Sequence, residues 1–217
     1  MKRLEFELND SIYQDALLPI RNRYDLLKLL TKTIKFLITT PPTPMGVTTP
    51  NKKLILYIDK MSRLLFCVEN KMFSFRFPLQ IQIEPEDNSL SIFYRDYFKI
   101  DNIISSLLVS VFGQEDIFEH FLEDIDKKIL EGIIENEWND VDLDSLYKLA
   151  KQLVLFEPGY LRYDYDKAHA NGSLHPEHHL DIFFSSSVTM KLGLQKAIES
   201  EWMLDMLNIL TECKYVM

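Results

Sequence analysis

The chain has 217 residues, 47% of them hydrophobic and 12% aromatic, with six glycines and a formal net charge of −9. This length can bury a sizeable core, and the composition excludes a disordered chain, which would carry fewer aromatic side chains. No window approaches the roughly 20 apolar residues of a membrane-spanning helix, and two widely separated cysteines, Cys67 and Cys213, exclude a disulfide framework and a cysteine-based metal site.

Residues 1–10 mix charges with single apolar side chains and lack an apolar core, so neither a signal peptide nor an anchor is expected, and a reducing cytoplasm fits best. The charge is unevenly spread. Residues 1–82 hold 13 basic and 7 acidic side chains, residues 83–159 hold 6 and 18, and residues 160–217 hold 5 and 8. Such segregation implies either two faces with different partners or complementarity between layers of the fold.

Leu4, Phe6 and Leu8 alternate with charged residues and predict a short first strand. Asp10 or Ser11 then caps a predicted long helix over 10–39, with Ile20, Tyr24, Leu27, Ile34 and Ile38 as its core stripe. Arg21, Lys28, Lys32 and Lys35 fall on one flank of that helix as a basic ridge. The ridge is a candidate contact for phosphate, nucleic acid or an acidic partner, or else an ordinary solvated face. Pro41, Pro42, Pro44 and Pro50 end the helix.

Strands follow over 54–58, 64–68, 72–77, 81–84 and 90–94, with turns at Asp59-Lys60, Glu69-Asn70 and Glu86-Asp87-Asn88. Connections this short require antiparallel neighbours, hence a meander of four or five strands. Helices are predicted over 98–112, over 114–132 after Gly113, and over 144–155. Three short polar strands within 160–194 and a closing helix over 198–211 complete a single α+β domain spanning 1–217.

The polar strands are the one stretch that looks chemical rather than merely structural. Four of the five histidines, His169, His175, His178 and His179, fall within eleven residues. Alternation along 160–166 puts Tyr160, Arg162, Asp164 and Asp166 on one face, and alternation along the next strand puts His179 with Asp181. Pairing these faces would assemble Arg162, Asp164, His179 and Asp181. Imidazoles and carboxylates so placed can hold a divalent metal that activates water, with His175, His178, His179 and Asp181 as candidate ligands. Without metal, a histidine could act as acid or base while Arg162 stabilises phosphate charge. Alternatively, Arg162 pairs with Asp164 or Asp181 across the sheet and the group is structural.

Taken in order, Arg162-Tyr163-Asp164-Tyr165-Asp166, His175-Pro176, His179-Leu180-Asp181-Ile182 and Lys191-Leu192-Gly193-Leu194, followed by an amphipathic helix, resemble an uncharacterised bacterial family of about this chain length. The resemblance covers residues 160–210, and members look like accessory proteins of mobile or defence-associated loci. It implies a bacterial cytoplasmic origin and singles out Arg162, Asp164, Asp166, His175, His179 and Asp181; where relatives place a second histidine, this chain has Asp181. Two functional classes follow. One is a cofactor-free binding or regulatory component of a bacterial defence or mobile-element system, whose partner is another protein encoded nearby and possibly basic. The other is a hydrolase, a nuclease or phosphodiesterase, using Arg162, Asp164, His179 and Asp181 with or without a divalent metal.

Overall fold

The computed structural model describes residues 2–58, 61–84, 89–113, 123–138, 140–185 and 187–213. In chain order the elements are β1 (Lys2–Glu7), α1 (Asp10–Leu17), α2 (Arg23–Thr39), β2 (Lys52–Ile58), β3 (Arg63–Val68), β4 (Lys71–Arg76), β5 (Gln80–Ile83), β6 (Leu90–Tyr94) and β7 (Phe98–Ile100). They continue as α3 (Asn102–Phe112), α4 (Glu123–Glu135), α5 (Leu143–Leu155), β8 (Leu161–Tyr165), β9 (His178–Ile182), β10 (Met190–Leu194) and α6 (Ser200–Leu207). The architecture is α+β. Contacts divide the chain into two compact units, one formed by Met1–Leu17, Thr43–Phe77 and Pro158–Met217, the other by Leu18–Pro42 and Pro78–Glu157.

Three expectations about elements are corrected. The long helix over 10–39 is two helices, because Pro19 cannot donate a helical hydrogen bond and disfavours helical backbone at Leu18. A capping box then restarts the helix: the Asn22 side chain accepts from the Asp25 N–H, and the Asp25 carboxylate accepts from the Asn22 N–H. The meander is divided, since β5, β6 and β7 form their own three-stranded sheet beyond Pro78 while β4 turns its free side to β8. Residues 98–112 are not one helix: β7 occupies the start, and Asp101 caps α3 by accepting from the Ile103 and Ile104 N–H groups at 2.9 Å. Gly113 ends α3 as expected. The expected turns at 59–60 and 86–88, and residues 114–122 of the expected helix over 114–132, lie outside the described residues.

The first unit is built on a seven-stranded antiparallel sheet of order β1-β2-β3-β4-β8-β9-β10. One face carries Ile55, Leu65, Cys67, Met72, Tyr163 and Leu180, which pack against Met203 and Leu204 of α6. Along the other face a single cross-strand row runs Phe6, Leu54, Phe66, Phe73, Arg162, Asp181, Lys191. Its first half is core, with Phe66 and Phe73 stacked at 4.8 Å. Its second half is charged. The neighbouring row makes the same transition: Val68, Lys71, Asp164, His179, Gly193.

In the second unit α2 packs against α3, α5 and β6 and buries Leu26, Leu27, Leu29, Leu30, Ile34, Phe36 and Leu37. Its buried threonines are satisfied internally, Thr31 donating to the Leu27 carbonyl and Thr33 to that of Leu29. Among the described residues, no helix is long and apolar enough to cross a membrane.

Candidate functional site

The charged halves of the two rows meet where β8 lies between β4 and β9. The sequence Leu-Arg-Tyr-Asp-Tyr of β8 sends Leu161 and Tyr163 into the α6 core, so Arg162 and Asp164 must take the opposite face. The register sets Arg162 against Asp181 and Asp164 against His179, and the four expected side chains come together. Arg162 Nε donates to Asp164 Oδ2 at 2.7 Å, and its Nη2 donates to Asp181 Oδ2 at 2.5 Å. One guanidinium thereby holds carboxylates from two adjacent strands through charge-assisted hydrogen bonds. The side chains are only 2% (His179), 10% (Asp181), 17% (Asp164) and 23% (Arg162) exposed.

His179 is fixed from its other side. Its Nδ1 lies 2.9 Å from the Pro176 carbonyl, which can only accept, so the proton is on Nδ1. Nε2 consequently faces Asp164 Oδ2 at 3.6 Å and Asp181 Oδ2 at 4.0 Å. Gly193 of β10, paired with His179, makes room for this arrangement: a Cβ there would stand 2.8 Å from the Pro176 ring.

Two further residues complete the face. Lys71 of β4 pairs with Asp164 and donates to the Leu17 carbonyl at 3.1 Å. Burial, helped by the nearby Arg162 charge and opposed by Asp164, lowers its ammonium to about 8. Tyr160 packs on Phe73, and burial raises its phenol above the ordinary value.

Around the quartet runs a more open polar rim. Asp166 accepts from the His169 Nδ1 at 2.9 Å and from the His175 Nε2 at 3.2 Å. That fixes the His175 proton on Nε2 and leaves its Nδ1 to accept from Lys191 Nζ at 3.3 Å. Burial works upward on the Asp166 carboxyl, but the hydrogen bonds from His169 and His175 outweigh it and hold it below the ordinary carboxylate range.

The other expected site residues lie elsewhere. His178 is on the opposite face of β9, stacked on Tyr165 at 5.0 Å and hydrogen-bonded through Nδ1 to the Tyr163 hydroxyl, so it does not join the expected metal ligands. His175 touches the His179 ring edge-on at 4.9 Å, but Asp166 and Lys191 engage both its nitrogens. Of the expected basic ridge, Arg21 precedes the Asn22 cap and is off the helix, whereas Lys28, Lys32 and Lys35 lie along one flank of α2 and are half-buried. Lys35 donates to Ser106 Oγ at 3.0 Å, and Lys28 lies over the Tyr24 ring.

Sequence reasoning missed Lys71, which reaches the site only through the β4–β8 pairing of segments some ninety residues apart. It also missed the Pro176 carbonyl; Gly193 inside a strand pattern was the available signal for such a close approach. The fold and site therefore define an α+β protein whose large antiparallel sheet turns from an aromatic core into a buried Arg-Asp-His-Asp quartet. Compared with known proteins, the chain matches no family model, no curated protein sequence and no solved structure.

Proposed function

We propose that this chain is a binding or regulatory component that works through protein–protein contact at the β10 edge of its seven-stranded sheet, with the buried quartet bracing that edge. The observation that carries the reading is the contrast between the two edge strands. The outer side of β1 is closed by Thr43, whose N–H donates to the Glu5 carbonyl at 2.7 Å and whose Oγ1 accepts from the Glu7 N–H at 3.1 Å. Among the described residues β10 pairs with β9 alone, and Met190 at its start, with Phe183 and Val188 in the chain leading to it, stands exposed. An open strand edge flanked by apolar side chains is the usual receptor for an added strand.

The hydrolase reading asks substrate to reach His179 and Asp181, whose side chains are almost wholly covered. A cytoplasmic accessory protein of a mobile or defence-associated locus, as the resemblance of residues 160–210 implies, agrees with a binding role. The test compares wild type with Met190→Asp/Lys191→Glu, both exposed on β10. A protein that co-purifies with wild type is expected to be lost from the variant, and to slow amide exchange at residues 190–194 when added back. Equal recovery with both, or hydrolysis of bis(p-nitrophenyl) phosphate that His179→Ala abolishes, removes the reading.

A further inference from the structure

The quartet is not fully satisfied by its own ion pairs. Both Arg162 bonds end on Oδ2 atoms, and Asp181 Oδ1 is buried without a hydrogen-bond partner on a side chain nine-tenths removed from solvent. A buried acceptor left unpaired costs free energy and calls for a ligand. The second unspent group is His179 Nε2. With Nδ1 donating to the Pro176 carbonyl, Nε2 is left facing two carboxylate oxygens at 3.6 and 4.0 Å, with no hydrogen bond to either.

One donor atom each from Asp164, His179 and Asp181 lies within 4.8 Å of the others. Around a tetrahedral zinc-sized ion with bonds of about 2.0–2.2 Å, two donors stand about 3.3–3.6 Å apart, so a contraction of about 1 Å at the widest pair would close the site. Nor is this cluster a surface accident, since His179 and Asp181 are buried and Asp164 half-buried. From these observations we infer that Asp164, His179 and Asp181 bind one divalent cation of the zinc–manganese class, which joins β8 to β9.

Mixed imidazole and carboxylate ligands suit that class of ion better than a softer or a purely oxygen-seeking one. The hydrogen bond from His179 Nδ1 to a backbone carbonyl is the outer contact that orients metal-bound imidazoles. Arg162 bonds only Oδ2 of each carboxylate, which leaves Oδ1 of each, Asp181 Oδ1 unpartnered among them, for an ion. Lys71 turns its ammonium to the Leu17 carbonyl. The inference is independent of the β10 reading, because the ion braces the sheet whether or not the edge finds a partner.

The test uses the full chain stripped with EDTA and dialysed against zinc or manganese chloride. One ion per chain is expected by elemental analysis, with affinity weakened at least roughly tenfold in Asp181→Asn and in His179→Gln. It should be unchanged in Asp166→Asn, which alters only the outer rim. Should either ligand variant fail to fold, wild type alone decides: Mn²⁺ is expected to broaden the amide signals of residues 179–181 before those of residues 166–169. No stoichiometric ion, binding that survives both ligand substitutions, or broadening centred on the rim would overturn the inference.

Discussion

Replacing Arg162 by methionine separates a brace from an ornament. The side chain keeps its apolar length beside Phe73, but Asp164 and Asp181 lose the donor they share, at 2.7 and 2.5 Å, in a place where they are less than one-fifth exposed. Removing one partner of a buried pair leaves an uncompensated charge and costs about 3–5 kcal/mol. The Arg162 side chain is 23% exposed, so the low end, about 3 kcal/mol, is expected. In a chain of this length that is a fall of roughly 6–12 °C in Tm. Urea unfolding at pH 7, with the slope checked against wild type, measures it. The informative comparison is Arg162→Met/Asp164→Leu/Asp181→Leu, in which no charge is stranded. If the reasoning holds, the triple variant is more stable than the single one, since a packed apolar group can replace a buried ion network at little cost. A single variant within about 0.5 kcal/mol of wild type, the size of an ordinary surface substitution, would refute the assignment of a buried brace.

Gly193→Ala places a methyl group 2.8 Å from the Pro176 ring, a rigid neighbour, and a loss of about 1–3 kcal/mol is expected by urea titration. Unchanged stability would mean that Pro176 does not sit on β10. Lys71, lowered to about 8 from its ordinary 10.5, makes stability climb with pH: between those values the unfolded chain holds the proton that the folded chain has shed. Relative to Lys71→Met, the EDTA-treated wild type should gain up to about 3 kcal/mol from pH 7.5 to pH 10.5, and a flat difference between the two would contradict the burial of the ammonium. Cys67 is buried and its thiol is pushed up to about 12 by burial, whereas Cys213 is exposed. A thiol reagent should therefore modify one cysteine per native chain and two after unfolding; rapid labelling of Cys67 in the native state would place it wrongly.

The quartet could be anticipated because it rests on period-two alternation, which is local. Once residues 161–165 and 178–182 are strands, Arg162 with Asp164 and His179 with Asp181 must share faces, and a single pairing joins them. The split of the first helix was equally local, written in Pro19 and in the Asn22 to Asp25 spacing, yet helical periodicity carried the reading through it. The basic ridge was legible in part: Lys28, Lys32 and Lys35 share a flank of α2, but Arg21 lies before its cap. Periodicity identifies one apolar stripe but not whether a second layer covers the other side, and α2 also buries Leu26, Leu29, Leu30 and Phe36. Lys28, Lys32 and Lys35 were left half-buried rather than solvated.

Lys71 marks the boundary of what one strand reveals about another. Nothing near position 71 signals that its neighbour is Asp164; that contact exists because β4, having lost β5 beyond Pro78, accepts β8. The same step decides the chemistry. Pairing β8 with β4 sets Arg162 beside Phe73 and so places the ion pairs at the margin of an aromatic core, where removal from solvent makes each charge expensive unless matched. A pattern of histidines and carboxylates names the donors, whereas the long-range pairing determines how little water they share, and that dryness is what leaves Asp181 Oδ1 without a partner.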